Sequence, residues 1–368
     1  MKDYTGLDKP MKKESKPTIK DVARVSGVSI STVSNVINNR SSVSEKTRKK
    51  VLEAIRRLNY KPNKFALGLS RRKKAGSNFV TVLGPSVPHY FTQGVKALSV
   101  AVKHRAREVG VQVIEYLSEN DCEKQIFQVS EMIRRRVDGV ICFPVDYRRI
   151  EKAVQECHLV GIPFVSLNRF SYGDVYAVVK SDDYKAGNDL GLYVAFRLKD
   201  KKGKILEMET EENDFNSFQR SRGFNDVIEN WPGLEVIERC RCGRSAEQAE
   251  KVALEALKKF PDVNVIFCHS DETARGVFNV LKKLGRVYPL DSPEHIILLG
   301  VDGDRFALEH IRKGFFDATS EQLLWKQGEK AVDLVLDALK GKPNHNPVVL
   351  TNTVLITRTN VDYVKDHW

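Results

Sequence analysis

From Ser77 onward the chain repeats one rhythm: a short apolar run, then an amphipathic stretch with helical spacing, then another apolar run. The strand-like runs are Phe79–Leu83, Val111–Leu117, Gly139–Phe143, Phe164–Leu167, Ala177–Val179, Lys204–Glu207, Val263–Cys268 and Ile296–Val301. Alternation of this kind predicts parallel sheets covered by helices on both faces. A stretch of 292 residues is too long for one such sheet, so two α/β lobes are expected, an N-lobe over 77–180 and 322–350 and a C-lobe over 181–321 and 351–368. No strand is followed by Gly-x-Gly-x-x-Gly, and Walker A, Gly-x-Ser-x-Gly and His-Glu-x-x-His motifs are missing, so nothing here asks for an enzyme or a cofactor. His104, His158 and His269 are scattered, which predicts surface or supporting groups and no metal site. The six cysteines include one close pair, Cys240 and Cys242, without the second pair that a zinc site needs; free cytosolic thiols are expected. No apolar run approaches the ~20 residues of a bilayer crossing, and Met1–Lys16 reads as a polar, lysine-rich, disordered leader with no export signal. The expectation is a soluble, cytoplasmic protein.

Charge divides the chain at the same place. Residues 1–76 hold 20 Lys and Arg against 6 Asp and Glu, a net +14, while the remaining 292 residues sum to −2. Charge packed that tightly predicts a polyanion partner for the first segment alone.

That segment also has apolar periodicity. Thr18 with Asp21 resembles a capping box, and Ile19, Val22, Ala23 and Ser26 share one helical face. Gly27 supplies a tight turn, Val28 plugs it, and Ser29 is a good N-cap for a second helix. There Val33, Val36 and Ile37 point inward, while Ile30, Ser31, Ser34 and Asn35 point outward. A third helix from Ser44 carries Val51, Leu52, Ile55 and Leu58 on one side and Lys46, Arg48, Lys49, Lys50, Arg56 and Arg57 on the other, and Pro62 closes the unit. Two short helices joined by a glycine turn and braced by a third make a helix-turn-helix over 17–62, whose second helix enters the DNA major groove. Its outward side chains are short, so the backbone can approach base edges. Asn35 suits a bidentate contact with adenine and Ile30 a thymine methyl, while the basic residues hold phosphates. The alternative is a three-helix bundle that binds protein, which the local +14 disfavours.

Thr18-Ile-Lys-Asp-Val-Ala23, Gly27-Val-Ser-Ile-Ser-Thr-Val-Ser34, Asn38, Val43-Ser44, Thr47-Arg48 and Asn59-Tyr-Lys-Pro-Asn63 resemble the headpiece of the lactose/galactose repressor family of bacterial regulators. The resemblance adds Thr18, Ser29, Thr32 and Asn38 to the DNA-contacting set. It also implies a hinge over 63–76 that folds on DNA. Leu69 would be its minor-groove wedge, Ala66 the small residue beside it and Asn63 a polar groove contact. Gly68 costs such a helix about 1 kcal/mol, which suits one that orders only on DNA. One departure is Leu67, where the family often has arginine.

Polar residues collect where the strands of the large unit end, which is where open parallel sheets bind ligands. His89-Tyr90-Phe91, Asn168-Arg169, Ser270-Asp271, Asp302 and Gln322 are so placed. This arrangement is similar to the periplasmic ribose-binding fold that the same family uses for its effector domain. The resemblance assigns Tyr90 and Phe91 to stacking on a sugar ring. Asn168, Arg169, Arg220 (in Arg220-Ser-Arg-Gly-Phe224), Asp271, Asp302 and Gln322 fall to its hydroxyls. Asn168 stands where the family has aspartate, and Arg244 near a family aromatic. Both changes shift the pocket positive and predict an anionic sugar derivative. Together these features predict a ligand-controlled, DNA-binding regulator, expected to be a repressor. It would be a nucleoid-associated bacterial homodimer on double-stranded, near-palindromic operator DNA. The C-terminus has no leucine heptad to make a tetramer. The rival readings are a constitutive regulator with a vestigial pocket and a sugar-binding transport protein.

Overall fold

A computed structural model describes residues 17–37, 43–58, 60, 82–87, 93–199, 201–212, 214–344 and 347–364. The expected leader, Asn38, the hinge residues Asn63, Ala66 and Leu69, and the aromatic pair Tyr90 and Phe91 lie outside them.

The first unit is three helices, α1 (Ile19–Ser26), α2 (Ile30–Ile37) and α3 (Glu45–Arg57). The Asp21 carboxylate accepts from the Thr18 N–H at 2.9 Å and the Thr18 hydroxyl at 2.7 Å, so aspartate does serve in the glutamate place of the box. Gly27 sits at φ +69°, in the left-handed region that an α1–α2 turn this tight requires. Ser29 Oγ accepts from the Thr32 N–H at 3.1 Å and Ser44 Oγ from the Thr47 N–H at 3.3 Å, capping α2 and α3. Val22, Ala23, Val33, Val36, Ile37, Val51, Ala54 and Ile55 close the core.

The rest of the chain alternates as its pattern predicts. It runs through β1 (Val82–Val87), α4 (Gln93–Glu108), β2 (Gln112–Val113), β3 (Tyr116–Leu117), α5 (Cys122–Arg134), β4 (Gly139–Cys142), α6 (Glu151–Leu159), β5 (Phe164–Leu167) and β6 (Ala177–Ser181). Then follow α7 (Asp183–Leu198), β7 (Gly203–Glu209), α8 (Phe215–Ile228), β8 (Leu234–Arg241), α9 (Ala246–Lys259), β9 (Val265–Cys268) and α10 (Asp271–Lys283). The chain ends with β10 (Ile297–Asp302), α11 (Arg305–Lys313), β11 (Ala318–Glu321), α12 (Leu324–Leu339), β12 (Val348–Thr351) and β13 (Val354–Thr357). One sheet has the order β12-β6-β5-β4-β1-β2, with β3 also on β1; the other has the order β13-β11-β10-β9-β7-β8. All pairings are parallel except β11 with β13. Each sheet is buried on both faces, which is why its central strands read as continuous apolar runs.

Three details differ from the pattern. The expected strand Val111–Leu117 is two short strands. The break falls at Ile114–Glu115, where the Glu115 carboxylate turns back to Ser99 and Lys103 on α4. The strands β8, β11, β12 and β13 lie outside the expected runs: β8, β12 and β13 are at sheet edges, where charges and polar residues blur the apolar signal, and β11 is polar (Ala-Thr-Ser-Glu) although it lies inside its sheet. Finally, the chain passes between the sheets three times, at β6–α7, β11–α12 and β12–β13. The middle crossing holds Leu323 at φ +49°, an unusual conformation for a branched apolar residue.

Candidate functional site

Two surfaces concentrate polar chemistry. On the first unit, α2 turns Val33, Val36 and Ile37 into the core and leaves Ser29, Ile30 and Ser31 exposed, with Thr32, Ser34 and Asn35 half-buried on the rim. Ile30 is 45 % exposed, an isolated apolar group on an otherwise polar face. Ser29 and Thr18 are already engaged in capping, so their side chains serve the fold as well as any outside contact. Lys46, Lys49, Lys50, Arg56 and Arg57 are exposed along α3, whereas Arg48 is half-buried.

The second surface is a cavity of about 90 Å³ lined by Phe143, Asn168, Arg169, Thr210, Asp214, Asn216, Arg220, Arg244, Ser270, Asp302 and Gln322, together with Gly94, Val95, Leu98 and Leu324. A second cavity of about 170 Å³ shares Arg169, Asp214, Asn216 and Arg244 with the first and adds Asp146, Tyr147, Arg148, Phe170 and Phe215. Residues from both sheet units meet here. Asn216 Nδ2 on α8 donates to the Asn168 carbonyl after β5 at 2.9 Å, and Gln322 on the middle crossing bridges the two sides. Its amide nitrogen donates to Asp302, and its oxygen accepts from Asn168 Nδ2 at 3.2 Å and from the Ser181 hydroxyl at 3.0 Å. Asn168 at φ +62° and Asp302 at φ +136° hold sparsely populated backbone conformations, a strain that clusters at ligand sites.

The three arginines are held differently. Arg220 is buried: Nε and Nη2 reach Asp183 Oδ1 at 2.9 and 2.8 Å, Nη1 donates to the His269 carbonyl, and Lys180 takes the other Asp183 oxygen. Arg244, 26 % exposed, pairs with Asp214 at 2.8 Å and Glu211 at 3.1 Å. Burial works against the Asp214 charge, but Arg244, Arg169 and Arg220 together hold that carboxyl well below its usual range. Arg169 donates from Nη1 to the Pro144 and Val145 carbonyls at 3.0 and 3.2 Å and lies over the Phe143 ring at 4.7 Å. Burial, aided by Arg244 and Arg220, pushes its guanidinium down to about 9.

One expected ligand residue is misplaced. Asp271 does not line the cavity. Its carboxylate turns toward β11 and the β10–α11 turn, where Thr319 Oγ1 donates to it at 2.8 Å and the Asp304 N–H at 2.9 Å, and its neighbour Ser270 faces the cavity instead. The first acidic residue of a helix commonly turns to nearby N–H groups, a pull that a count of polar residues at strand ends overlooks. His269 is also more deeply placed than a surface group. It is wholly buried between Ser217 Oγ (2.5 Å) and Glu207 Oε1 (3.0 Å), and it supports Arg220 through its carbonyl. Thr210, Asp214 and Asn216 escaped sequence reasoning. They precede or open α8, and Asp214 Oδ1 looks like an ordinary N-cap, accepting from the Asn216 N–H at 3.0 Å.

Asp302 carries a testable pH signature. Burial raises its carboxyl to about 7, with Asp304 adding to the rise and Arg220 opposing it. A carboxyl whose folded value lies above the unfolded ~3.9 stabilises the fold fully below pH ~4 and loses that contribution as pH rises through 7. Asp302→Asn will therefore melt near the wild-type temperature at pH 4 and above it at pH 8. Equal differences at the two pH values would show that Asp302 does not titrate in this window.

Comparison with known proteins fits this geometry. Residues 18–63 match the family model described as bacterial regulatory proteins, lacI family, and residues 80–343 match the periplasmic binding protein domain. The HTH-type transcriptional regulator MalR of Clostridium butyricum is 28 % identical over 351 residues, 92 % of this chain and 98 % of that one. The ribose import binding protein RbsB of Bacillus subtilis is 26 % identical but spans 74 % of this chain and 86 % of its own. Among solved structures, an ABC transporter solute binding protein from Bacillus halodurans with bound myo-inositol superposes with a TM-score of 0.72 at 24 % identity, covering 80 % of this chain and all of that one. Among the described residues no helix is long and apolar enough to cross a membrane. A headpiece of three helices on a two-lobed α/β body, each matched by its own model, makes this chain a member of the lacI family of bacterial regulatory proteins with a periplasmic-binding-protein-type domain.

Proposed function

We propose that the chain is a ligand-responsive transcriptional repressor that binds a near-palindromic operator as a homodimer in the bacterial cytoplasm, its DNA affinity set by a sugar or sugar derivative bound in the cavity. The observation that carries this reading is the joining, in one chain, of an exposed polar α2 face beside a basic α3 to a cavity whose walls come from both sheet units. A ligand that draws those walls together changes their relative angle, and a coupling of about 1–3 kcal/mol suffices for a 5–150-fold change in DNA affinity. The named ligands of the binding proteins above, ribose and myo-inositol, are polyols. The amide, carboxylate and guanidinium groups lining this cavity suit a polyol. The expected DNA contacts are Ile30, Ser31, Ser34 and Asn35 on base edges, with Thr18, Ser29, Thr32 and Asn38 beside them and Asn63, Ala66 and Leu69 at the minor groove.

Selection of bound sequences from random duplex DNA, followed by anisotropy titration, tests it. The selected site should be two inverted half-sites about one turn apart. Asn35→Ala should weaken the selected site by about 1–3 kcal/mol and relax the preference at one base pair per half-site. Absence of any sequence preference would overturn the reading. Selective binding that no cavity ligand alters would favour the constitutive alternative.

A further inference from the structure

We infer that the effector is an anionic sugar derivative, and that Arg169 is the cation its acidic group neutralises. This deepens the proposed function and rests on its assignment of the cavity as the effector site. Among the described residues Arg169 has no carboxylate within ion-pair distance; its hydrogen bonds go to two backbone carbonyls and its flat face to Phe143. The neighbouring guanidinium groups are both matched, Arg220 by Asp183 and Arg244 by Asp214 and Glu211. Asp183 lies behind the wall and not in it. The inner cavity therefore faces its contents with three arginines and two carboxylates, Asp214 and Asp302. Of these, Asp302 is half-buried, and burial, with Asp304 beside it, presses its carboxyl toward the neutral form.

Asp214 and Glu211 act on Arg169 only from beyond contact distance, and a partly buried cation with no carboxylate in direct contact is costly, a cost that a ligand bringing the charge removes. Arg169 also belongs to the walls of both cavities, as does Arg244. A ligand ring among Asn168, Asn216, Arg220, Asp302 and Gln322 can therefore place a carboxylate or phosphate against Arg169 with Arg244 beside it. A guanidinium binds either group through parallel N–H donors, so the chemistry is shared and the source is left to the test.

The experiment is thermal melting of the full chain at fixed ionic strength with four probes: acetate, inorganic phosphate, matched neutral sugars, and their uronic acids and 6-phosphates. Each is run on the wild type and on Arg169→Met. The variant replaces the cation by an apolar chain of similar length, so without ligand it should melt at or above the wild-type temperature. The expected result is that acidic sugars raise the wild-type melting temperature more than their neutral parents do, with affinity falling at least about tenfold in Arg169→Met. The stronger of acetate and phosphate identifies the acidic group. Neutral sugars that bind as well as their acids would overturn the anionic assignment and leave the sugar-site reading standing. Inorganic phosphate that binds as tightly as any sugar phosphate would keep the anion site and remove the sugar. Equal anion responses in wild type and Arg169→Met, or no response to any anion, would overturn the role of Arg169.

Discussion

Replacing Arg220 with alanine will lower the unfolding free energy by about 3–5 kcal/mol, the usual cost of leaving one member of a buried ion pair without its partner. The Arg220 side chain holds three connections at once: two to the wholly buried Asp183 and one to the His269 carbonyl. Asp183 keeps Lys180, so the carboxylate is not abandoned, but one of its oxygens loses both charged donors. Urea unfolding of the wild type, Arg220→Ala and Arg220→Met measures this. Arg220→Met should recover part of the loss because it refills the space of the side chain while Asp183 stays paired with Lys180. A loss below about 1 kcal/mol for Arg220→Ala would mean that the pair behaves like a solvent-screened one. Loss of ligand response in Arg220→Ala alone would not assign a ligand contact, since the same change loosens α8 against α7. Arg220→Met separates the two: its packing between α7 and α8 is largely kept while the cavity still lacks the guanidinium.

The parts of this molecule that were legible in its sequence are those where one local rule dominates. The glycine turn between α1 and α2, the hydroxyl caps at Ser29 and Ser44 and the buried runs of β4, β5, β9 and β10 each follow from composition within a few residues. Cavity residues at strand ends, such as Asn168, Asp302 and Gln322, were legible because topology fixes where a parallel sheet ends. What failed was side-chain direction. Asp271 sits at the right place along the chain, yet Thr319 and the Asp304 N–H, 48 and 33 residues away, draw its carboxylate from the cavity. Arg244 could be assigned neither to solvent nor to the cavity until Asp214 and Glu211 were seen holding it inward. Those partners are an N-cap and a loop acid, and sequence spacing has no means of pairing them with an arginine some thirty residues on.

Alanine at Gly223 will destabilise the protein by about 3 kcal/mol, at the upper end of what overpacking costs. Helix propensity alone predicts the opposite sign, since alanine in a helix interior is favoured over glycine by roughly 0.5–1 kcal/mol. The sign is decided by what lies opposite. A Cβ on Gly223 would meet the Tyr184 carbonyl oxygen well inside contact distance, lie 2.9 Å from its carbon and 3.0 Å from the Asn188 nitrogen. All three atoms are α7 backbone and cannot rotate away as a side chain can. Across the crossing Gly187 makes the reciprocal approach, its Cβ position 2.9 Å from the Phe224 nitrogen. Gly191 is looser, with its closest approaches, the Phe224 carbonyl oxygen and Val227 Cβ, both at 3.0 Å. Thermal or urea unfolding should therefore rank Gly223→Ala and Gly187→Ala as severe and Gly191→Ala as milder; the reverse order would sink the account. The severe pair carries a functional consequence as well. Arg220 stands one turn before Gly223 and its own carbonyl faces Gly187, so any separation of α7 from α8 carries the Arg220 guanidinium away from Asp183 on the facing helix. The glycine of Arg220-Ser-Arg-Gly-Phe224 thus sets the helix spacing on which the arginine's reach depends.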